Sequence, residues 1–162
     1  MKVEFINPFI ESVHKLFTTM LGCEAKRADA KLTRVSDNPR QITALIGLSG
    51  TARGTVALSF PMETAVAMAN RLLGADNTVS DDSVSDAVGE LVNIVAGGAK
   101  AMFCTESSVP IDLSLPNVIR GERHTVEFPS DAMWLDVPFT SDLGPFNLRV
   151  AFEMNGRKRR DN

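Results

Sequence analysis

Glu90 and Asn93 stand three residues apart in a segment, about residues 81–103, whose apolar residues recur at helical spacing. On a helix of about 100° per residue, Val84, Val88, Leu91, Val95, Ala99 and Met102 cluster on one side and predict a buried face. Asp86, Glu90, Asn93, Gly97 and Lys100 fall on the opposite side, in a stripe about 80° wide. Glu90 and Asn93 are therefore neighbours on an outward turn. A carboxylate accepts charge-assisted hydrogen bonds; a carboxamide donates and accepts at once without titrating. The stripe also carries local costs. Asn is mildly unfavourable inside a helix because its amide competes for backbone bonds. Gly97 and Gly98 each cost about 1 kcal/mol against Ala, and Gly97 would let another surface approach closely. A solvated helix face with a glycine needed for packing fits the same residues, so helical spacing alone leaves both readings open.

The elements that must position this helix are legible around it. Asn7 as N-cap, Pro8 at the first helical position and Gly22 past the end predict an opening helix. Its apolar face comprises Phe9, Ile10, Val13, Leu16, Phe17 and Met20. From about Lys31 to Phe60 the period changes to two. Ile42, Ala44, Ile46 and Leu48 alternate with Thr43, Leu45 and Gly47, Ser49-Gly50 turns the chain, and Val56, Leu58 and Phe60 resume the pattern. That is a hairpin. Gly47, Gly50 and Gly54 form no phosphate cradle, because neither a helix start nor the Lys-Ser/Thr of a nucleotide loop follows them. Pro61 ends the strand, and residues 62–73 form a short helix closed by Gly74. After a polar loop and the long helix come strand-like stretches at 109–115, 124–128, 133–139 and 146–154, the last with the cleanest alternation. The expected fold is α+β, helices packed on a mostly antiparallel sheet, with one domain over residues 1–155 and a basic tail over 156–162.

Bulk properties exclude several classes. With 44% hydrophobic and 23% charged residues among 162, the chain has the balance of a globular protein with a real core. Arg157, Lys158, Arg159 and Arg160 carry +4 of a formal net charge of −3, so the rest sits at −7. A body that acidic makes a poor partner for nucleic acid. Cys23 and Cys104 are too few for a disulfide framework or a metal knuckle. Glu4, Asn7 and Pro8 interrupt any signal-peptide core, and no uninterrupted apolar run is long enough for a membrane span, which makes the cytoplasm the default expectation. A metal- or nucleophile-dependent enzyme is disfavoured. Only His14 and His124 exist, no Gly-x-Ser-x-Gly elbow or His-x-x-x-His pair occurs, and seven Met residues read as core filling.

The segment Asp86-Ala-Val-Gly-Glu90-Leu-Val-Asn93, with Pro116 after twenty-two intervening residues, resembles the signature of the CheC, CheX and FliY family of chemotaxis phosphatases. That signature is Asp or Ser, three residues, Glu, two residues, Asn, then a distant Pro. The order of elements is similar to this family over nearly the whole chain, so a CheC-like architecture is implied. Family members of the CheC type carry two motifs. Here Glu11 and His14 occupy the matching spacing in the first helix without the required Asn, and the single motif resembles CheX-like members most.

The resemblance implies a phosphatase acting on the aspartyl phosphate of a CheY-like response regulator. Asn93 would orient the attacking water and Glu90 would pair with the regulator's active-site lysine. Asp86, Gly97 and Lys100 would belong to the docking surface, while Pro116 would shape a loop. No cofactor is expected on this chain; Mg2+ is expected in the regulator's site. A homodimer paired through sheets is also implied, and the strand at 146–154 offers a candidate edge. The rival reading is a catalytically silent module that binds a response regulator, similar to flagellar switch proteins of the same architecture.

Overall fold

The computed structural model describes residues 3–33, 36–38, 41–74, 79–106, 110–121, 124–126 and 133–154. Its helices are α1 (Asn7–Leu16), α2 (Met62–Leu73) and α3 (Asp81–Glu106). Its strands are β1 (Ala25–Arg27), β2 (Lys31–Thr33), β3 (Ser36–Asn38), β4 (Ile42–Gly50), β5 (Ala52–Phe60), β6 (Ile111–Leu113), β7 (Asn117–Arg120), β8 (His124–Val126), β9 (Trp134–Ser141) and β10 (Phe146–Met154). The basic tail expected over 156–162 lies outside the described residues.

The β4–β5 hairpin forms as its alternation requires. Ile42 faces Phe60 and Leu48 faces Gly54, with Gly50 at φ 96° in the turn, a conformation that costs glycine nothing. All pairings in the main sheet are antiparallel, in the order β1-β9-β10-β5-β4-β6. β2 extends the β1 edge along β9, and β7 extends the β6 edge along β4. The strand at 146–154 is thus central, bonded to β5 and β9 on its two sides, and is no edge. Its alternation is clean because it crosses the middle of the sheet. One face meets the helices, and the other is also covered: Asn147, Arg149 and Ala151 are all buried. Of the stretch expected at 124–128, the described part, β8, pairs with β3 in a separate two-stranded sheet.

One continuous apolar cluster joins Phe9, Val13 and Phe17, the helix residues Val88, Leu91 and Val95, and the strand residues Ile46, Leu58, Val137 and Leu148. Phe17 and Phe139 stack on Phe146 at centroid distances of 5.1 and 5.0 Å. α3 packs beside α1 and across β4 to β7. By length and composition α3 could cross a membrane, with a mean hydropathy of 1.3, and half of that window is buried inside the fold. The apolar residues behind that value are the ones packed on the sheet.

Two expectations for the first helix are corrected. Asn7 is the first residue of α1 rather than its cap; Ile6 is the cap and makes no side-chain bond, because a 3-10 turn (Val3–Ile6) feeds the chain into the helix already coiled. Met20 is 47% exposed, whereas Leu21 is fully buried. The last turn, Phe17–Leu21, is a π-turn, so each residue rotates less than in an α-helix and the inward position passes from 20 to 21. Gly22 ends it in the left-handed conformation at φ 66°.

Candidate functional site

Three sets of contacts fix α3. At its start, Ser80 accepts a hydrogen bond from the Ser83 N–H at 3.2 Å and its carbonyl takes the Val84 N–H, while Asp81 and Asp82 place negative charge at the positive end of the helix dipole. On one flank lies α1: a Cβ on Gly98 would stand 3.3 Å from the Ser12 Cβ and closer still to its hydroxyl, so only glycine permits this helix approach. On the other flank lies β7. Arg120 donates from Nε to the Ser85 hydroxyl at 2.8 Å and bonds the Asp81 carbonyl, and a Cβ on Gly89 would lie 3.6 Å from a Val118 methyl. The Arg120–Asp81 ion pair at 3.7 Å is well exposed and adds little.

Between these flanks the expected stripe faces outward. Asp86, Glu90 and Asn93 are exposed; Gly97 and Lys100 are half-buried. Nothing lies within 4 Å of the position a Cβ would take on Gly97. The two adjacent glycines therefore differ in cause. Gly98 exists for packing against α1, and Gly97 faces open space. Because α3 runs to Glu106, the stripe reaches one turn further than expected, to the exposed Cys104. In α1, Glu11 is exposed, and the His14 ring turns its edge toward Phe139 at 5.7 Å, so the spacing there carries no second outward pair.

Sequence reasoning missed the residues that place the stripe: Ser12, Ser85, Val118 and Arg120. β7 is only four residues long, too short to register as an alternating run. It also missed the polar group opposite the helices, where Asp136 meets Arg149 at 3.3 Å and accepts a 2.8 Å bond from Asn147. Alternation alone gives no sign of it, and Arg149 is 5% exposed. Among the described residues no group of three His, Cys, Asp or Glu comes together that could hold a metal. An open recess of about 370 Å³ lies elsewhere, at the β1–β9 edge, lined by Glu24, Lys26, Thr140, Ser141 and Asp142. Its mixed charges suggest no ligand.

A carboxylate and a carboxamide on one exposed helical turn suit a macromolecular partner better than a small molecule. Comparisons with known proteins identify the family. Residues 42–140 match the family described as chemotaxis phosphatase CheX. The chain is 28% identical to a protein named CheY-P phosphatase CheX from Thermotoga maritima, over 96% of this chain and all of that one. A crystal structure of a CheC-like superfamily protein from Shewanella sp. PV-4 is 33% identical with a TM-score of 0.82, covering 94% of this chain and 99% of that one. A chemotaxis protein CheX from Desulfovibrio desulfuricans is 25% identical with a TM-score of 0.83, covering 93% of this chain and 100% of that one.

Proposed function

The chain belongs to the CheX family of chemotaxis phosphatases, and we propose that it hydrolyses the aspartyl phosphate of a CheY-like response regulator, with Asn93 orienting water and Glu90 anchoring the regulator. The observation that carries this reading is the joint exposure of Glu90 and Asn93, one turn apart, on a helix held rigid at both flanks.

Aspartyl phosphate is an acyl phosphate, already activated toward water. The bond from phosphorus to the aspartate oxygen breaks, a bond from water oxygen to phosphorus forms, and the products are the free carboxylate and inorganic phosphate. The regulator supplies its own lysine and Mg2+ to neutralise the transferring charge. What this chain adds is a placed nucleophile. The Asn93 carboxamide accepts a hydrogen bond from the water through its oxygen and donates one through its NH2, fixing an in-line approach without taking the proton. Positioning of this kind need lower the barrier by only about 2.7 kcal/mol for a hundredfold acceleration. Glu90 pairs with the regulator's active-site lysine, a charge-assisted contact of about 1.5–3 kcal/mol when partly desolvated. Asp86, Gly97 and Lys100 lie along the same stripe and form the docking surface around them.

The test is phosphate release from a phosphorylated CheY-like regulator. Asn93→Ala is expected to fold, bind and lose at least a hundredfold in kcat; Glu90→Ala is expected chiefly to weaken binding. Undiminished turnover by Asn93→Ala removes that residue from the mechanism. Binding by the unaltered chain without phosphate release decides for a silent interaction module. The same reading includes a homodimer built through a sheet edge. With β10 paired on both sides, the edges of the main sheet among the described residues are β1/β2 and β6/β7, and sedimentation at micromolar concentration distinguishes dimer from monomer. Cys23 and Cys104 form no disulfide, which suits the reducing cytoplasm, the compartment we propose for it.

A further inference from the structure

The edge formed by β6 and β7 is interrupted in a way that presents one apolar side chain. Leu48 pairs with Leu113 and Leu45 pairs with Asn117. Ser114, Leu115 and Pro116 thus oppose only Ile46 and Gly47, which is a β-bulge with one extra residue. Ser114 repairs the ladder. Its N–H donates to the Gly47 carbonyl at 3.0 Å, and its hydroxyl accepts the Gly47 N–H at 2.8 Å. The close approach of that hydroxyl is possible because Gly47 has no side chain; a Cβ there would stand 3.2 Å from it. The extra residue is expelled outward: Leu115 is 85% exposed, the most exposed large apolar side chain among the described residues.

The bulge sits beside the Glu90–Asn93 turn. Arg120 touches Ser85, and Val118 touches Gly89. Two strand residues advance about 6.6 Å, and four helix residues advance about 6 Å. β7 therefore runs antiparallel to α3 in near register, and the chain before it, through Pro116 and Leu115, leads in the direction of Asn93. On the helix, Asn93 lies about 40° from the Gly89 direction that faces β7, nearer than Glu90 at about 100°. A standard interface covers about 800 Å² on each partner, a disc of about 16 Å radius. A disc of that size centred on Asn93 is wide enough to reach the β6–β7 edge that carries Leu115.

We propose that Leu115, expelled by the bulge between β6 and β7, is an apolar docking contact for the phosphorylated response regulator that meets Glu90 and Asn93. This inference rests on the function proposed above. Bulges commonly re-aim a side chain beside a functional site, and here the redirected residue is an apolar one set next to a polar stripe. It supplies contact energy that does not depend on charge, while Glu90 and Asn93 set register and chemistry.

Leu115 is too exposed for its replacement to disturb folding, so Leu115→Ser is a clean variant. With a CheY-like regulator phosphorylated by a small-molecule donor, it is expected to raise KM about tenfold with kcat unchanged. Leu115→Met should restore the KM of the unaltered protein. An unchanged KM in Leu115→Ser, alongside lost turnover in Asn93→Ala, overturns the docking role and leaves the catalytic reading standing. If Asn93→Ala retains full turnover, the underlying function fails instead. A shift from dimer to monomer in Leu115→Ser, with KM unchanged, assigns the residue to contact between copies of this chain and equally overturns the proposal.

Discussion

Two neighbouring glycines on α3 should respond oppositely to the same one-methyl change. In a helix interior Gly→Ala is worth about 1 kcal/mol of stabilisation. At Gly97 nothing lies within 4 Å of the added methyl, so Gly97→Ala should collect that full amount. For a domain of this size it corresponds to a Tm rise of about 2–4 °C. At Gly98 the methyl meets the buried Ser12, whose Cβ would be 3.3 Å away and whose hydroxyl must rotate. Overpacking of this kind costs about 1–3 kcal/mol. Set against the helix gain, Gly98→Ala should destabilise by about 1 kcal/mol, lowering Tm by about 2–4 °C. Removing the hydroxyl in a Ser12→Ala/Gly98→Ala double variant should recover most of the loss, a coupling that thermal unfolding by circular dichroism measures directly. The functional consequences run the other way. If the proposed docking surface is right, Gly97→Ala, the more stable protein, should raise KM for the phosphorylated regulator, because its methyl would stand on that surface. Equal Tm shifts for the two alanine variants would refute the assignment of one glycine to packing and the other to open surface.

Asp136→Ala should cost about 3 kcal/mol in urea unfolding, because it leaves the buried Arg149 guanidinium without the carboxylate it meets at 3.3 Å; a loss below 1 kcal/mol would show that the pair contributes nothing. Thiol labelling should separate the two cysteines. Cys104 is exposed and should react first with iodoacetamide; Cys23, half-buried, should react more slowly in the native protein, because burial holds its thiol pKa above the ordinary value, with Arg71 opposing and Asp142 reinforcing. Equal labelling rates for the native protein at neutral pH would contradict that difference. In phosphate release, the hundredfold loss expected of Asn93→Ala and the tenfold KM rise expected of Leu115→Ser report on separate kinetic constants, so the chemical and docking roles can be judged independently.

What the amino-acid order determined by itself was periodic. The three α-helices, the β4–β5 hairpin and the 146–154 strand follow from repeats of 3.6 and 2 residues that any reader of the chain can count, and the outward pairing of Glu90 with Asn93 follows from helix geometry alone. The match over Asp86, Glu90, Asn93 and Pro116 carried the functional reading for the same reason, being a spacing on one element plus one distant residue. Tertiary structure decided everything that needs two elements at once. Whether 146–154 is an edge or the centre of the sheet depends on which strands flank it, and alternation is identical in both cases. Short strands such as β7 exist because β4 offers a partner, not because four residues prefer to be extended. Gly97 and Gly98 are adjacent and chemically the same, yet one meets Ser12 across a helix interface and the other meets nothing. The bulge that turns Leu115 outward depends on a one-residue difference in register between β6 and β7 against β4, which becomes visible only when the strands are laid side by side.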